Sequence, residues 1–181
     1  MPGSQGSPEV TWREARREDR TLLQGFTCCA PLPQNQMGRK FPHPKPYEYE
    51  VQSFFREFRP PTGPDQKLLL GIREDDLCAV IAMSRQKSSG EIGYVKLQAV
   101  AISLDERGKG GILANEVIDV SLREAFKFAL EQELHRVRVV AFVDQRNTPS
   151  QLMLERAGFV GQFVPNNGNG YEEWIVEVTS V

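Results

Sequence analysis

Val95-Lys96-Leu97-Gln98-Ala99-Val100-Ala101-Ile102 is followed by the turn Ser103-Leu104-Asp105-Glu106, and then by Arg107-Gly108-Lys109-Gly110-Gly111-Ile112-Leu113. The first segment suits a buried strand. The last runs without a break into a long helical pattern that ends near Leu134, with Leu122, Ala125, Phe126, Ala129 and Leu130 recurring at intervals of three and four. Strand, glycine-rich basic turn and long helix together predict a phosphate-holding element. The leading amides of a helix have no partners within it, and the helix dipole adds positive charge at that end. Glycines let the backbone approach an anion closely. Arg107 adds a planar fork of donors and Lys109 a point charge. The turn lacks the Gly-Lys-Ser/Thr ending of a Walker A loop, and no Gly-x-Gly-x-x-Gly follows the first strand. A glycine-rich turn with a solvated basic rim stays open as the bland reading of this stretch alone.

Working outward, residues 10–15 alternate well enough for a first strand. Asp19 is placed to cap a helix whose apolar stripe includes Leu22, Leu23 and Phe26. Residues 30–46 hold five prolines among Asn, Gln and Gly, which predicts an extended loop. A helix resumes over 47–58, with Tyr47, Val51, Phe54, Phe55 and Phe58 on one side, and Pro60-Pro61 stops it. Residues 68–73 and 77–83 read as an antiparallel hairpin about Glu74-Asp75-Asp76, and 87–90 turn the chain into the opening strand. Residues 135–143 are dense in valine, as a central strand should be. A short helix follows over 148–157, with Thr148 as its candidate cap, Pro149 in its first turn and Gly158 at its end. Residues 159–164 and 171–178 close the chain as a hairpin about 165–170.

The unit over 95–143 must be a right-handed crossover joining two parallel strands, and the other connections are short enough for antiparallel pairing. The fold class is α/β: a single domain over 9–181 built on a mixed, mostly antiparallel sheet with one parallel strand–helix–strand crossover. Residues 1–8, made of Gly, Ser and Pro without an apolar core, read as a disordered lead and not a secretory signal. A chain of 181 residues is large enough to bury a core without staples. Its net charge of -2 gives no reason to expect nucleic-acid binding. No apolar run approaches the roughly 20 residues of a membrane span. Cys28, Cys29 and Cys78 show no Cys-x-x-Cys spacing and read as thiols in a reducing cytoplasm. His43 and His135 stand far apart, outside any metal-ligand pattern, so no metal is expected.

Arg107-Gly108-Lys109-Gly110-Gly111-Ile112 resembles the Gln/Arg-x-x-Gly-x-Gly/Ala signature of the GNAT N-acetyltransferase superfamily. Asn147, followed by Leu152, Met153, Leu154, Glu155, Arg156, Ala157, Gly158 and Phe159, resembles that family's second motif of an Asn, a short helix and Gly-Phe. The element order agrees as well, so the resemblance spans residues 10–178. It implies a GNAT-like fold with acetyl-CoA, or another acyl-CoA, as co-substrate and no metal. By resemblance, backbone groups of Val100, Ala101 and Ile102 pair with the pantetheine arm. Amides of Arg107, Gly108, Lys109, Gly110, Gly111, Ile112 and Leu113 hold the pyrophosphate. Asn147 sits near the pantetheine end, where the two parallel strands diverge. The family passes the acyl group directly from thioester to amine, with the oxyanion held by a backbone amide, here one of Val100–Ile102. The implied partner is a small-molecule or peptide amine, with no nucleic acid or membrane, in the cytoplasm, and the resemblance leaves room for a homodimer.

The chain departs from the pattern twice. Ile112 stands where the signature has Gly or Ala, and Leu154 where many members carry the tyrosine that protonates the leaving thiolate. A thiol with a pKa of roughly 8.5 is a fair leaving group unaided, and Tyr171 and Tyr94 are substitutes by residue type only. Alternation puts Lys96, Gln98, Val100 and Ile102 on one strand face, from which Gln98 would orient a substrate or a water. Gln98 and Asn147 are therefore the catalytic candidates. Glu50, Glu91, Glu172 and Glu173 are base candidates by type, against the reading of solvated surface carboxylates. His43 lies in the proline-rich loop, either near the acceptor or as a plain loop residue, and His135 suits a helix end. Phe41, Pro42, His43, Pro44, Tyr47, Tyr49, Phe54 and Phe55 form either a lid over an amine-bearing substrate or a cover for the sheet. The reading that results is an acyl-CoA-dependent N-acyltransferase, most simply acetyl transfer to a primary amine. The alternative is a CoA-binding or partner-binding module that keeps the fold without turnover.

Overall fold

A computed structural model of the chain describes residues 9–35, 38–60, 62–162 and 170–179. The expectations for residues 1–8 and for the turn at 165–169 lie outside the described residues. The elements are β1 (Thr11–Glu14), α1 (Arg20–Gly25), α2 (Pro46–Glu57), β2 (Gln66–Arg73), β3 (Asp76–Ser89), β4 (Ile92–Ile102), α3 (Ile112–Leu130), β5 (Arg136–Asp144), α4 (Thr148–Arg156), β6 (Val160–Gln162) and β7 (Tyr171–Thr179). This is the expected order. The strands form one sheet in the order β1-β2-β3-β4-β5-β7-β6. Only β4 and β5 pair in parallel, and α3 is the crossover between them.

Helices cover both faces. The side chains of Val117, Ile118, Val120, Ala125 and Phe128 on α3 and Leu154 on α4 join Ile81, Met83, Val95, Leu97, Val137 and Val139 in one core layer. Leu23 and Phe26 near α1, with Phe55 on α2, join Leu68, Leu70, Val80, Ala82, Ala99 and Ala101 in the other. Phe54 contacts both Phe55 and Phe58 edge-on over that second layer. β1 is tied to the first layer by Trp12, whose Nε1 donates to Glu116 on α3 at 2.7 Å. Its ring lies over Gly71 on β2, where any Cβ would come within 2.8 Å of it.

Four expectations need correction. Asp19 forms no side-chain cap on α1; Arg13 grips its carboxylate through two bonds of 2.6 Å, and the Arg16 amide adds a third at 2.7 Å. The long helix stops at Leu130, not near Leu134, because Glu133 turns left-handed at φ 58° and the Leu134 amide bonds back to the Ala129 carbonyl. Leu130 itself is exposed. Asn147, and not Thr148, caps α4, its side chain accepting from the Ser150 amide.

The fourth correction concerns β4. Leu97 pairs with Met83 and Ala99 with Ala82, so Gln98 is an extra residue with no partner on β3. A bulge of this kind reverses the alternation beyond it. Val95 and Leu97 bury under α3, whereas Ala99 and Ala101 bury on the α2 side, and Val100 and Ile102 pack toward α3. Lys96 and Val100 therefore do not share a face.

Candidate functional site

β4 and β5 pair from Ile92↔Arg136 as far as Leu97↔Ala141 and no further, although both strands continue. Past this point each follows its other neighbour. Residues 99–102 of β4 stay with β3, and Phe142, Val143 and Asp144 stay with Glu173, Glu172 and Tyr171 of β7. The strands splay, and the bulged Gln98 stands at the fork. A cavity of about 360 Å³ fills the gap. Ile118 of α3 and Met153 and Leu154 of α4 line it from one layer, and Tyr47, Glu50, Val51 and Phe54 of α2 line it from the other. It therefore passes through the sheet. Beyond Leu97, the edge of β4 that faces β5 has no strand partner, which leaves backbone groups of Val100, Ala101 and Ile102 to an extended ligand.

The glycine-rich turn lies at the end of β4. Its start is pinned by bonds from the Ser103 amide to the Cys78 carbonyl (2.7 Å) and from the Leu104 amide to the Thr27 carbonyl (2.9 Å). Gly108, Gly110 and Gly111 then take φ of 77°, 77° and 75°, a region that costs other residues about 1–2 kcal/mol. A Cβ at any of the three would meet no atom within 4 Å. The glycines are thus needed for conformation, and the space above them is open. Gly111 caps α3 without any side-chain bond, and no acidic residue stands in the first turn. The leading amides and the positive end of the dipole accordingly have no anionic partner from the helix itself.

The two basic residues of the turn are engaged. Arg107 donates to Glu48 of α2 at 2.9 Å, and Lys109 to Glu106 at 3.0 Å. Lys45 also reaches Glu48, and Arg73 reaches Glu106 at 2.6 Å. Hydrogen bonds from Lys109 and Arg73 hold the Glu106 carboxyl below its ordinary range. Arg107 and Lys109 thus stand beside the glycines, each already bonded to a carboxylate. Ile112, the residue out of pattern, is 76% exposed, while Leu113 is buried in the core. Open left-handed glycines, helix amides without a side-chain cap and the nearby Arg107 and Lys109 fit a pyrophosphate.

Among the sequence candidates, Gln98 and Asn147 both line the cavity. Gln98 is exposed there, and the Asn147 carbonyl oxygen is occupied as the cap of α4. Leu154 also lines it, 2% exposed in the α3 layer, so no phenol stands at that position. His43 is buried, with one ring nitrogen 3.0 Å from the Ala30 carbonyl and the other bonded to the Lys45 backbone, and it serves to fix its loop. Glu91 lies in the turn before β4, at the end away from the fork. Glu172, Glu173 and Tyr94 do not line the cavity, and the Tyr94 hydroxyl takes a bond from Arg138.

Glu50 and Tyr171 do meet. The Tyr171 hydroxyl donates to Glu50 Oε2 at 2.9 Å, and both residues line the cavity. Burial, and then the bond to Glu50, push the phenol up to about 12. Beside them Asp144 is buried and gripped by Arg146, whose hydrogen bond holds the carboxyl below its ordinary range. Sequence reasoning passed over Asp144 and Phe142. Phe142 is 44% exposed on a central strand and lines the gap, but its residue type alone is what a core strand would carry.

No protein-family model matches the chain, and no curated protein matches it in sequence. Solved structures do. The GNAT domain of S. lividans PAT aligns over 93% of this chain and 90% of its own, with a TM-score of 0.60 at 14% identity. The ribosomal-protein-S5-alanine acetyltransferase of Vibrio fischeri aligns over 96% and 94%, with a TM-score of 0.56 at 16% identity. The spermidine N-acetyltransferase of Vibrio cholerae aligns over 94% of each chain, with a TM-score of 0.54 at 13% identity. The chain has the fold of the GNAT acetyltransferases, with the parallel pair, the splay and the glycine-rich helix start at their expected places along it. Among the described residues no cluster of His, Cys, Asp or Glu suits a metal ion, and no helix is long and apolar enough to cross a membrane.

Proposed function

We propose that this protein is an acyl-CoA-dependent N-acyltransferase, moving an acetyl group from acetyl-CoA to the primary amine of a small molecule or peptide. The observation that carries the reading is the gap between β4 and β5, with a through-going cavity at the fork and an open glycine cradle at the end of β4. The amides of residues 107–113 would hold the pyrophosphate. The free edge of Val100–Ile102 would take the pantetheine arm as an added strand, and the side chain of Asn147 would flank it. Bound acetyl-CoA supplies a thioester with a leaving group good enough to need no strong acid. The neutral amine nitrogen attacks the carbonyl carbon, a C–N bond forms and the C–S bond breaks, and the proton shed by the nitrogen ends on the departing thiolate to give the free thiol. A β4 amide in the Val100–Ile102 stretch would hold the oxyanion, and Gln98 would orient the incoming group or a water. That neighbours of the same fold bear the names of a spermidine and a ribosomal-protein acetyltransferase supports an amine acceptor. Three free, buried thiols support a reducing cytoplasm as its location.

The test is thermal stabilisation by acetyl-CoA, followed by thiol release over a panel of amines. Stabilisation with thiol release is the expected result. Stabilisation without release on any amine would favour a CoA-binding module, the reading that Leu154 in place of a tyrosine keeps in play. No stabilisation by any acyl-CoA would sink both.

A further inference from the structure

The charges at the acceptor end of the cavity point to the class of amine it takes; this inference rests on the acyl-transfer reading above. Two carboxylates line the cavity, Glu50 and Asp144. Asp144 is already matched: Arg146 holds it through guanidinium bonds of 2.9 and 2.7 Å and a backbone amide bond of 2.9 Å. Glu50 has no ion pair among the described residues. Its bonded partner is the neutral Tyr171 hydroxyl at 2.9 Å, which fixes one carboxylate oxygen and leaves the charge uncompensated. Glu50 is exposed at the mouth of the cavity, where its second carboxylate oxygen is open to one cation as a charge-assisted partner.

The surroundings limit that cation to one. Tyr47, Val51, Phe54 and Phe142 supply apolar and aromatic wall on the same side of the sheet. Phe54 and Phe142 stand 36% and 44% exposed, surface that a ligand body would cover. The rim already carries positive charge: Lys96 Nζ lies 4.9 Å over the Phe142 ring, and the Arg146 guanidinium 5.8 Å over the Tyr47 ring. A second ammonium inside the cavity would meet these cations, and the other carboxylate of the lining, Asp144, is already held by Arg146.

We propose that Glu50 receives the acceptor as its ammonium, which gives up one proton to solvent at the open mouth before its nitrogen attacks, that Tyr171 is a positioning residue for Glu50, and that the acceptor is a monoamine on an aromatic or branched apolar body. A polyamine does not fit.

The experiment titrates phenethylamine, spermidine and uncharged phenylethanol calorimetrically into coenzyme A-saturated protein, for wild type, Glu50→Gln and Tyr171→Phe. Wild type should bind phenethylamine about tenfold or more tightly than spermidine, and Glu50→Gln should weaken phenethylamine by about tenfold or more, as loss of a charge-assisted bond requires. Tyr171→Phe should weaken phenethylamine by about threefold while phenylethanol affinity stays unchanged, which a merely structural tyrosine would not produce. Tighter spermidine binding, an unchanged phenethylamine affinity in Glu50→Gln, or no phenethylamine binding to wild type overturns the inference. Coenzyme A affinity is measured first. Its absence overturns the acyl-transfer reading itself, whereas its presence with the wrong amine pattern overturns this inference alone.

Discussion

Two single-residue deletions in β4, Gln98 and Lys96, should have opposite effects on stability. Leu97 faces Met83 and Ala99 faces Ala82, with Gln98 as the extra residue between them. Removing Gln98 lets Ala99 follow Leu97 directly in the same register. Leu97, Val100 and Ile102 keep to the α3 side, and Ala99 and Ala101 to the α2 side. No core side chain changes face, so stability should move by no more than about 1 kcal/mol. Removing Lys96 instead draws on the slack of the bulge. Leu97 moves opposite Ser84 and Gln98 opposite Met83, into the layer beneath α3. The loss of one buried leucine costs about 1.5–3 kcal/mol and an amide buried without a partner about 1–3, so the deletion costs about 2.5–6 kcal/mol. At about 2–4 °C per kcal/mol for a chain of this size, the Lys96 deletion should melt roughly 5–24 °C lower and the Gln98 deletion within about 4 °C of wild type. Calorimetric melts of the two proteins decide this. Thiol release from acetyl-CoA, measured alongside, should fall about 100-fold in the Gln98 deletion, because a straightened β4 lets Ala99 approach Phe142 and narrows the gap. If the Gln98 deletion melts as low as the Lys96 deletion, the bulge is not the slack. If it is stable and fully active, the bulge is not part of the donor site.

Gly110→Glu should abolish acetyl-CoA stabilisation, since a carboxylate enters the open space over the helix amides, and the φ of 77° should itself cost about 1–2 kcal/mol; an unchanged shift would show that the pyrophosphate binds elsewhere. Burial pushes all three thiols up, Cys28 to about 12, so dithionitrobenzoate at neutral pH should react with none in the native protein and with all three in denaturant; a fast native thiol would contradict the packing of the α2 layer or of the β2–β3 turn. Tyr171 binds its proton more tightly folded than unfolded, so its contribution is intact below the ordinary tyrosine value near 10 and is lost as pH rises toward about 12. Ultraviolet titration should show one late phenol that Glu50→Gln brings down, and Tyr171→Phe should lose less stability than wild type over that alkaline window; equal slopes would refute the pairing.

The glycine-rich half of the candidate site is legible in the sequence because it is contiguous. Strand, left-handed glycines and helix start follow one another along residues 95–113, and each has its own residue-type requirement. The bulge within the same stretch was not legible, for a physical reason. Burial along β4 alternates without a break, with Val95, Leu97, Ala99 and Ala101 all buried. Yet the first two bury under α3 and the last two on the α2 side. Where helices cover both faces of a sheet, apolar alternation reports that a residue is buried but not on which side, so a reversal leaves no trace in hydropathy. Gln98 is the one mark it leaves, as an exposed polar residue in an apolar run.

The acceptor half was legible only as residue types. Glu50 and Tyr171 are 121 positions apart, and no local pattern relates them. Their meeting follows from the splay. β5 leaves β4 after Ala141 to stay with β7, and the last pair of that ladder is Asp144 with Tyr171. The same departure that opens the gap for the donor therefore carries Tyr171 to the mouth of the gap, where α2 presents Glu50, with Tyr47 and Phe54 also on the cavity. Arg107, in the glycine-rich turn, pairs with Glu48 on that same helix. The glycine-rich turn and the cavity wall that carries Glu50 are thus joined through one turn of α2. A ligand that draws Arg107 away from Glu48 acts on the helix that carries Glu50, which makes the order of binding, donor before amine, a property to be read from product-inhibition patterns.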